Sequence, residues 1–301
     1  MKIRRIVFAG LLLISGLTVA SAQVKLSFNP EKGKKYEYQM DMLQNIQQSV
    51  MGQTIPIEME MNFKYLMEIV DKTPQEITAR FTYREAAYIV SSPMMKMGYD
   101  SKNPVENPSE MDNMLGKMFG KLIDQSFQTV FAPDGSVKSV TGMDAIFESM
   151  SNSIAGSGQV AAQMGPQMKG QFSDDAMKSS FEQSFRIYPA NAVKAGDSWN
   201  MENITSVNNM NVTHKTKYTL KETSKNMATI AIESDVEMDP GVMMEGKLAG
   251  TVTGTMLVDV KTGLPVTNDA TMNIKGSVKA QGIDIQMDLS AKTKTTTKEV
   301  K

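Results

Sequence analysis

The side chains of this 301-residue chain that could do chemistry are its methionines, one histidine and its carboxylates. Methionine occurs 27 times, cysteine is absent, and His214 is the single histidine. Thioether sulfur favours soft metals such as Cu(I), so Met40/Met42, Met59/Met61 and Met94/Met95/Met97 are the residues to weigh as ligands. Copper sites usually recruit histidine or cysteine too. Most of these methionines also fall on the apolar parity of strands or helices, where methionine is flexible filler. No metal or other cofactor is assigned. His214 lies mid-strand in Val212-Thr213-His214-Lys215-Thr216 with no carboxylate at ligand spacing. One histidine cannot hold zinc alone, so it reads as structural.

Catalytic motifs are missing as well. There is no Gly-x-Ser-x-Gly elbow, no phosphate loop and no Rossmann glycine pattern. Gly156-Ser157-Gly158 reads as linker. Glu58, Glu60 and Glu68 occupy the polar side of a strand, where they solvate a face rather than form an acid–base pair. The chain is read as non-enzymatic. An enzyme would need perturbed carboxylates converging in a cleft, which spacing does not reveal.

The elements that position these residues are strands. From Ile57 the odd positions read Ile57, Met59, Met61, Phe63, Tyr65, Met67, Ile69, against Glu58, Glu60, Asn62, Lys64, Leu66, Glu68. Period two places the two sets on opposite faces. After a turn at Lys72–Gln75 the pattern resumes with Ile77, Ala79, Phe81 and Tyr83, giving an antiparallel pair. Tyr36 to Met42 precedes it with the same design, and Ser91-Ser92-Pro93 breaks the sheet. Residues 94 to 108 read as loop.

The period then changes. Met111, Met114, Leu115, Met118, Phe119, Leu122 and Ile123 mark an amphipathic helix over 109–125, capped by Ser109 with Asp112 three residues on. Phe127–Phe131, a Pro133-Asp134-Gly135 turn and Val137–Val140 form a hairpin. Thr141-Gly142-Met143-Asp144 has capping-box spacing before a second helix. Residues 160–172 are weakly helical, and Asp174 to Phe185 is a stronger helix. Strands return after Gly196-Asp197-Ser198-Trp199, which repeats the Gly33-Lys34-Lys35-Tyr36 strand start, and end with Ile283 to Thr297.

The reading is a mainly β (α+β) protein. One large curved antiparallel sheet or open half-barrel is covered by helices from the middle of the chain, with an internal duplication. Residues 1–22 read as a signal peptide: Lys2, Arg4 and Arg5, an apolar run, then Ala20-Ser21-Ala22. Residues 23–301 form a single exported domain, with a first β-unit at 30–140, a helical insert at 141–186 and a second β-unit at 187–301. The product is periplasmic or secreted. It is not a lipoprotein, since no cysteine exists to carry lipid, and the mature chain has no transmembrane segment. A formal net charge of −1, with interspersed charges and no basic stripe outside the Lys292–Lys301 tail, argues against nucleic acid as a partner.

The strand starts at Gly33 and Gly196, the Val193–Trp199 turn and Val258-Asp259-Val260-Lys261-Thr262-Gly263 together resemble an uncharacterised family of exported Bacteroidetes proteins. These motifs are structural turns, so no catalytic residue carries over. At the level of fold alone, the sheet with helices between its halves is similar to periplasmic lipoprotein carriers of the LolA/LppX type. That resemblance implies an apolar concave face holding acyl chains. The expected function is non-enzymatic binding or carriage of an apolar, lipid-like molecule on the concave face. Its lining would be Met59, Met61, Phe63, Tyr65, Met67, Phe81 and Tyr83, with helix 109–125 as a lid. The alternative is a structural or cell-envelope interaction module with a filled core, no ligand and an envelope protein as partner.

Overall fold

Alternation of apolar and polar residues builds twelve strands, from five residues in the shortest to twenty in the longest. A computed structural model of the chain describes residues 23–155, 169–207, 210–239, 245–280 and 282–301. The proposed signal segment, most of the weakly helical stretch at 160–172 and residues 156–158 of the linker expected over Ser151–Gly158 lie outside them, and the start of that linker, Ser151–Ser153, is instead the end of a helix. The strands are β1 (Lys35–Val50), β2 (Gln53–Lys72), β3 (Ile77–Ser92), β4 (Met95–Asp100), β5 (Ser126–Phe131) and β6 (Val137–Thr141), then β7 (Ser198–Val207), β8 (Met210–Ser224), β9 (Met227–Asp239), β10 (Glu245–Asp259), β11 (Pro265–Ala280) and β12 (Ile283–Val300). Helices α1 (Glu110–Phe119), α2 (Met143–Ser153) and α3 (Asp174–Phe185) fall between strands.

All strands join one antiparallel sheet in the order β6-β5-β3-β2-β1-β12-β11-β10-β9-β8-β7, with β4 also on β3. The first and last strands therefore meet at its centre, paired from Lys35↔Val300 to Val50↔Ile285. The sheet is not closed into a barrel. Its edges β6 and β7 both pack against α3. The sheet thus curls around one interior, and α3 spans the gap between its edges.

The register puts Phe63, Tyr65, Met67, Phe81 and Tyr83 inside, buried, and leaves Glu58, Glu60 and Arg80 exposed outside. Outer-face charges pair across strands, as Lys64 does with Glu37 and Glu85. A bulge shifts the β2–β3 register between Lys64 and Tyr65, so that Tyr65 faces Tyr83 but Phe63 faces Ala86. The inward parity of β3 changes there from odd to even, at the consecutive charges Arg84-Glu85.

The 94–108 loop expectation is corrected in part. Met95–Asp100 is strand β4, folded back on β3 from Ser92↔Met95 to Ala87↔Asp100. Six residues with Met97 and Tyr99 on one parity were enough to pair once β3 offered an edge. Helix α1 carries the expected capping box: Ser109 Oγ accepts from the Asp112 N–H at 3.1 Å, and Asp112 Oδ2 accepts from the Ser109 N–H at 2.9 Å. The capping box expected at α2 is absent. Its N-cap is Gly142 at φ +108°, and the Met143 N–H donates instead to Asp174 Oδ1 at 2.7 Å. A carboxylate at the start of α3 thus caps α2 and ties the two helix ends together.

The lower end of the curl, where β1 begins, is closed by residues 24–29. The Phe28 N–H donates to Pro133 O and the Asn29 N–H to Thr262 O, while Leu26 and Phe28 are buried. Gly263 is required here: at φ +72° a Cβ would lie 1.8 Å from Ser27 O. Phe28 meets Phe131 at 4.7 Å and Phe185 at 5.5 Å between ring centroids, so the lower half is a filled aromatic core.

Candidate functional site

Two neighbouring rows of α3 face different surroundings. Met177, Phe181 and Phe185, four residues apart, are buried. Phe181 lies 4.7 Å from Phe81, 5.8 Å from Phe127 and 5.7 Å from Phe185 between ring centroids. The adjoining row, Ala176, Ser180 and Ser184, looks with Gln183 into a cavity of about 330 Å³. The opposite wall is Tyr38, Met40 and Met42 of β1, Met61, Phe63 and Tyr65 of β2, and Tyr83 of β3; Phe172 and Thr205 complete the sides. Cross-strand pairing aligns this wall: Tyr38 faces Tyr65, Met40 faces Phe63 and Met42 faces Met61.

The chemistry of the cavity is that of an apolar floor under a mixed roof, in which Ser180, Gln183 and Ser184 stand beside Met177 and Phe181. No charged side chain lines it among the described residues. The tyrosines stay neutral: burial pushes the Tyr38 phenol up to about 12, although hydrogen bonds with Ser184 and Thr295 pull the other way. Burial likewise raises Tyr65 and Tyr83, whose hydroxyls share a hydrogen bond. Above the cavity the inner face is mainly apolar, with half-buried Ile46, Ile57 and Met59 beside Met287 and Leu289 of β12, interrupted by Gln44 and Gln48 of β1. A second cluster, Val212, Val236, Leu248, Ile274 and Val278, extends it across β8 to β11.

His214 stands on the same inner face, mostly buried, opposite Asn203 and Val236. Gln183 Nε2 lies 3.1 Å from its Nε2 and 3.3 Å from its Nδ1, so the amide donates to an unprotonated ring nitrogen. Burial lowers its pKa below the ordinary 6.5. In the unfolded chain the ring takes its proton near that ordinary value, so stability is complete above it and declines as pH falls toward the folded pKa. Urea melts between pH ~8 and ~5 should show a shallower decline in His214→Gln than in the wild type.

The sequence-predicted lining separates into three groups. Met61, Phe63, Tyr65 and Tyr83 line the cavity. Met67 and Phe81 are wholly buried in the filled core below it, and Met59 lies half-buried above it. The lid expectation is corrected: α3, not helix 109–125, roofs the cavity. Helix α1 packs on β4, with Phe119 stacked on Tyr88 and Tyr99. Tyr38, Met40 and Met42 complete the wall that sequence reasoning left unassigned. Their alternation is as clear as that of β2, but only the β1–β2 register brings them opposite Phe63. Ser180 and Ser184 carried a signal too, small residues spaced beside Met177 and Phe181. Trp199 anchors the second half, donating from Nε1 to Ile187 O at 2.8 Å and stacking on Tyr218. No group of three His, Cys, Asp or Glu side chains could hold a metal among the described residues. Nor is any helix there long and apolar enough to cross a membrane.

Fold and site define a curled, open antiparallel β-protein with a helix-roofed, uncharged cavity. The chain belongs to a family of unknown function, DUF6263, whose profile matches residues 74–265. The expectation of an uncharacterised family holds at that level. No curated protein matches the chain. Among solved structures, it is similar to a lipovitellin structure concerned with lipid–protein interactions, at 9% identity and a TM-score of 0.49 over 89% of this chain. The chain spans a quarter of that lipovitellin chain. An outer-membrane channel from Pseudomonas putida F1 matches at 7% identity and a TM-score of 0.25, covering 91% of this chain and 98% of the channel. The Pseudomonas aeruginosa protein OccK7 matches at 7% and 0.23, covering 90% of this chain and all of that one.

Proposed function

We propose that this is a non-enzymatic, exported protein of the periplasm or the extracellular space that binds an apolar, lipid-like molecule between α3 and the sheet. The observation that carries this reading is the uncharged cavity, apolar on β1 and β2, with Ser180, Gln183 and Ser184 beside Met177 and Phe181 on α3, and continuous with a mainly apolar inner face. Such a site suits an amphiphile: a chain against Met40, Met42, Met61 and Phe63, and a neutral or hydrogen-bonding group toward Ser180, Gln183 and Ser184. At ~30 Å³ per methylene-sized group, the cavity holds roughly ten of them. At about 0.8 kcal/mol per buried methylene, the gross gain is roughly 8 kcal/mol. Ordering costs then place Kd in the micromolar range or weaker. The LolA/LppX-type half-barrel is an analogy of shape for this reading.

The filled aromatic core around Phe28 and Phe131 favours the alternative, an envelope-interaction module that needs no ligand. Titration with a dansyl-labelled eleven-carbon fatty acid separates the two. Saturable one-to-one fluorescence enhancement, displaced by unlabelled fatty acid, is expected; absence of saturable binding would favour the filled module.

A further inference from the structure

Among the described residues, the two ends of the sheet carry turns of different kinds. At the lower end the described turns read Thr73-Pro74-Gln75-Glu76, Pro133-Asp134-Gly135-Ser136, Lys225-Asn226 and Lys261-Thr262-Gly263, polar in every case but proline. At the upper end Met51 is 83% exposed, Met94 84%, Met95 52% and Ile283 38%. Three other large apolar side chains are exposed among the described residues, Leu43, Val105 and Ile204, and none is at a hairpin tip. Hairpin tips need only turn-forming residues, for which polar side chains serve as well. Methionine at such tips calls for an explanation outside folding.

The register arranges these residues along one rim. Val50 pairs with Ile285, so the Met51 and Ile283 tips are neighbours. The Met94–Met95 tip lies lower: Ser92 pairs with Met95, and Ser91 with Glu58 of β2. That is about five residues, or roughly 17 Å, below Met51 on a sloping rim. Just inside it, Val50, Ile55, Ile46 and Ile285, with Gln48 among them, continue the mainly apolar inner face toward the cavity. Some charges near the rim pair with each other, Lys279 with Asp284 at 3.9 Å and Lys247 with Glu237 at 3.2 Å, while Lys96 beside Met95 and Glu245 stand exposed outside any of these pairs.

We infer that this rim rests on a lipid bilayer, with Met51, Met94, Met95 and Ile283 inserted among the acyl chains. A protein partner of ordinary affinity needs a contiguous patch of about 800 Å², which tips separated along a slope do not form. A bilayer accepts isolated apolar side chains one at a time, each adding its own transfer free energy. With the cation Lys96 and the anion Glu245 beside the paired charges, the rim has no cationic cluster among the described residues, and the contact is apolar rather than ionic. The inference goes beyond the binding of a ligand and does not need one. Where both hold, a lipid passes from the bilayer onto the inner face without crossing water.

The test is co-flotation of the protein, purified after export, with phosphatidylcholine vesicles and with vesicles also containing phosphatidylglycerol. Equal partition into both is expected. The triple variant Met51→Asp, Met94→Asp, Met95→Asp should partition at least ~100-fold more weakly, with an unchanged circular dichroism spectrum and unchanged binding of the dansyl fatty acid. Aspartate tolerates the left-handed backbone of Met51, at φ +51°. A cavity-filling Met42→Trp/Met61→Trp variant should partition as the wild type does, which separates this inference from the proposed ligand. The inference fails if the wild type does not float, if the triple variant floats equally well, or if partition needs the anionic lipid and is lost in salt. It also fails if the tips instead drive self-association that the triple variant abolishes without any vesicle binding.

Discussion

Replacing Phe181 with alanine is expected to lower the unfolding free energy by about 3–5 kcal/mol, the range for deleting a buried aromatic ring. The size follows from position. Phe181 is 4% exposed and has ring partners on two other elements: Phe81 on β3, and Phe127 and Phe131 on β5, with Phe185 beside it on α3. It is the residue through which the helix spanning the two sheet edges grips the first of them. Domains have only about 5–15 kcal/mol to lose, so the urea midpoint should fall by about a fifth or more with an unchanged m-value. Loss of the dansyl fatty acid should accompany it, because α3 supplies the roof of the cavity. A cost below about 1 kcal/mol would show that α3 does not pack as described.

The second large effect is on binding alone. Met42 and Met61 are cross-strand partners on the cavity wall, half-buried and bordering the void, with Met61 also touching the core below. Overpacking a filled core costs ~1–3 kcal/mol, but tryptophan at these two positions grows into a void. Met42→Trp/Met61→Trp should keep the wild-type Tm within a few degrees and lower affinity for the dansyl fatty acid more than ~10-fold, about 1.4 kcal/mol. Calorimetry and the same fluorescence titration check both halves. Wild-type affinity in the doubly filled variant would place the ligand elsewhere.

Much of this fold was legible in residue order because period two is a strong signal over long strands. The inward set of β2 from Phe63 to Ile69, and of β3 from Ile77 to Tyr83, follows from alternation alone. So does the Ser109–Asp112 cap of α1, a local motif whose partners are three residues apart. What was not legible depends on partners distant in sequence. Nothing within Lys35–Val50 or Ile283–Val300 marks them as neighbours, although their pairing makes two sets of strands one sheet. The α2 cap comes from Asp174, thirty-one residues from Met143. Strand β4 was missed because six residues with a glycine at Gly98 carry little periodicity.

The site divided along the same line. Seven residues chosen by parity from β2 and β3 all lie at the apolar inner parity, but only four reach the cavity. Parity gives a face and not a depth, so Met67 and Phe81 were indistinguishable from Phe63 before α3 was placed. Depth depends on where the helix ends and the uncovered sheet begins, a tertiary property set by Phe181 and Phe185 against β3 and β5.

The most direct measurement is native mass spectrometry of the protein purified after export, without detergent, from a bacterial host. The account predicts a population heavier than the bare chain by the mass of one amphiphile, removed by organic extraction and absent from Met42→Trp/Met61→Trp. A spectrum showing only the bare chain, together with no saturable uptake of fatty acid by that same sample, would contradict it.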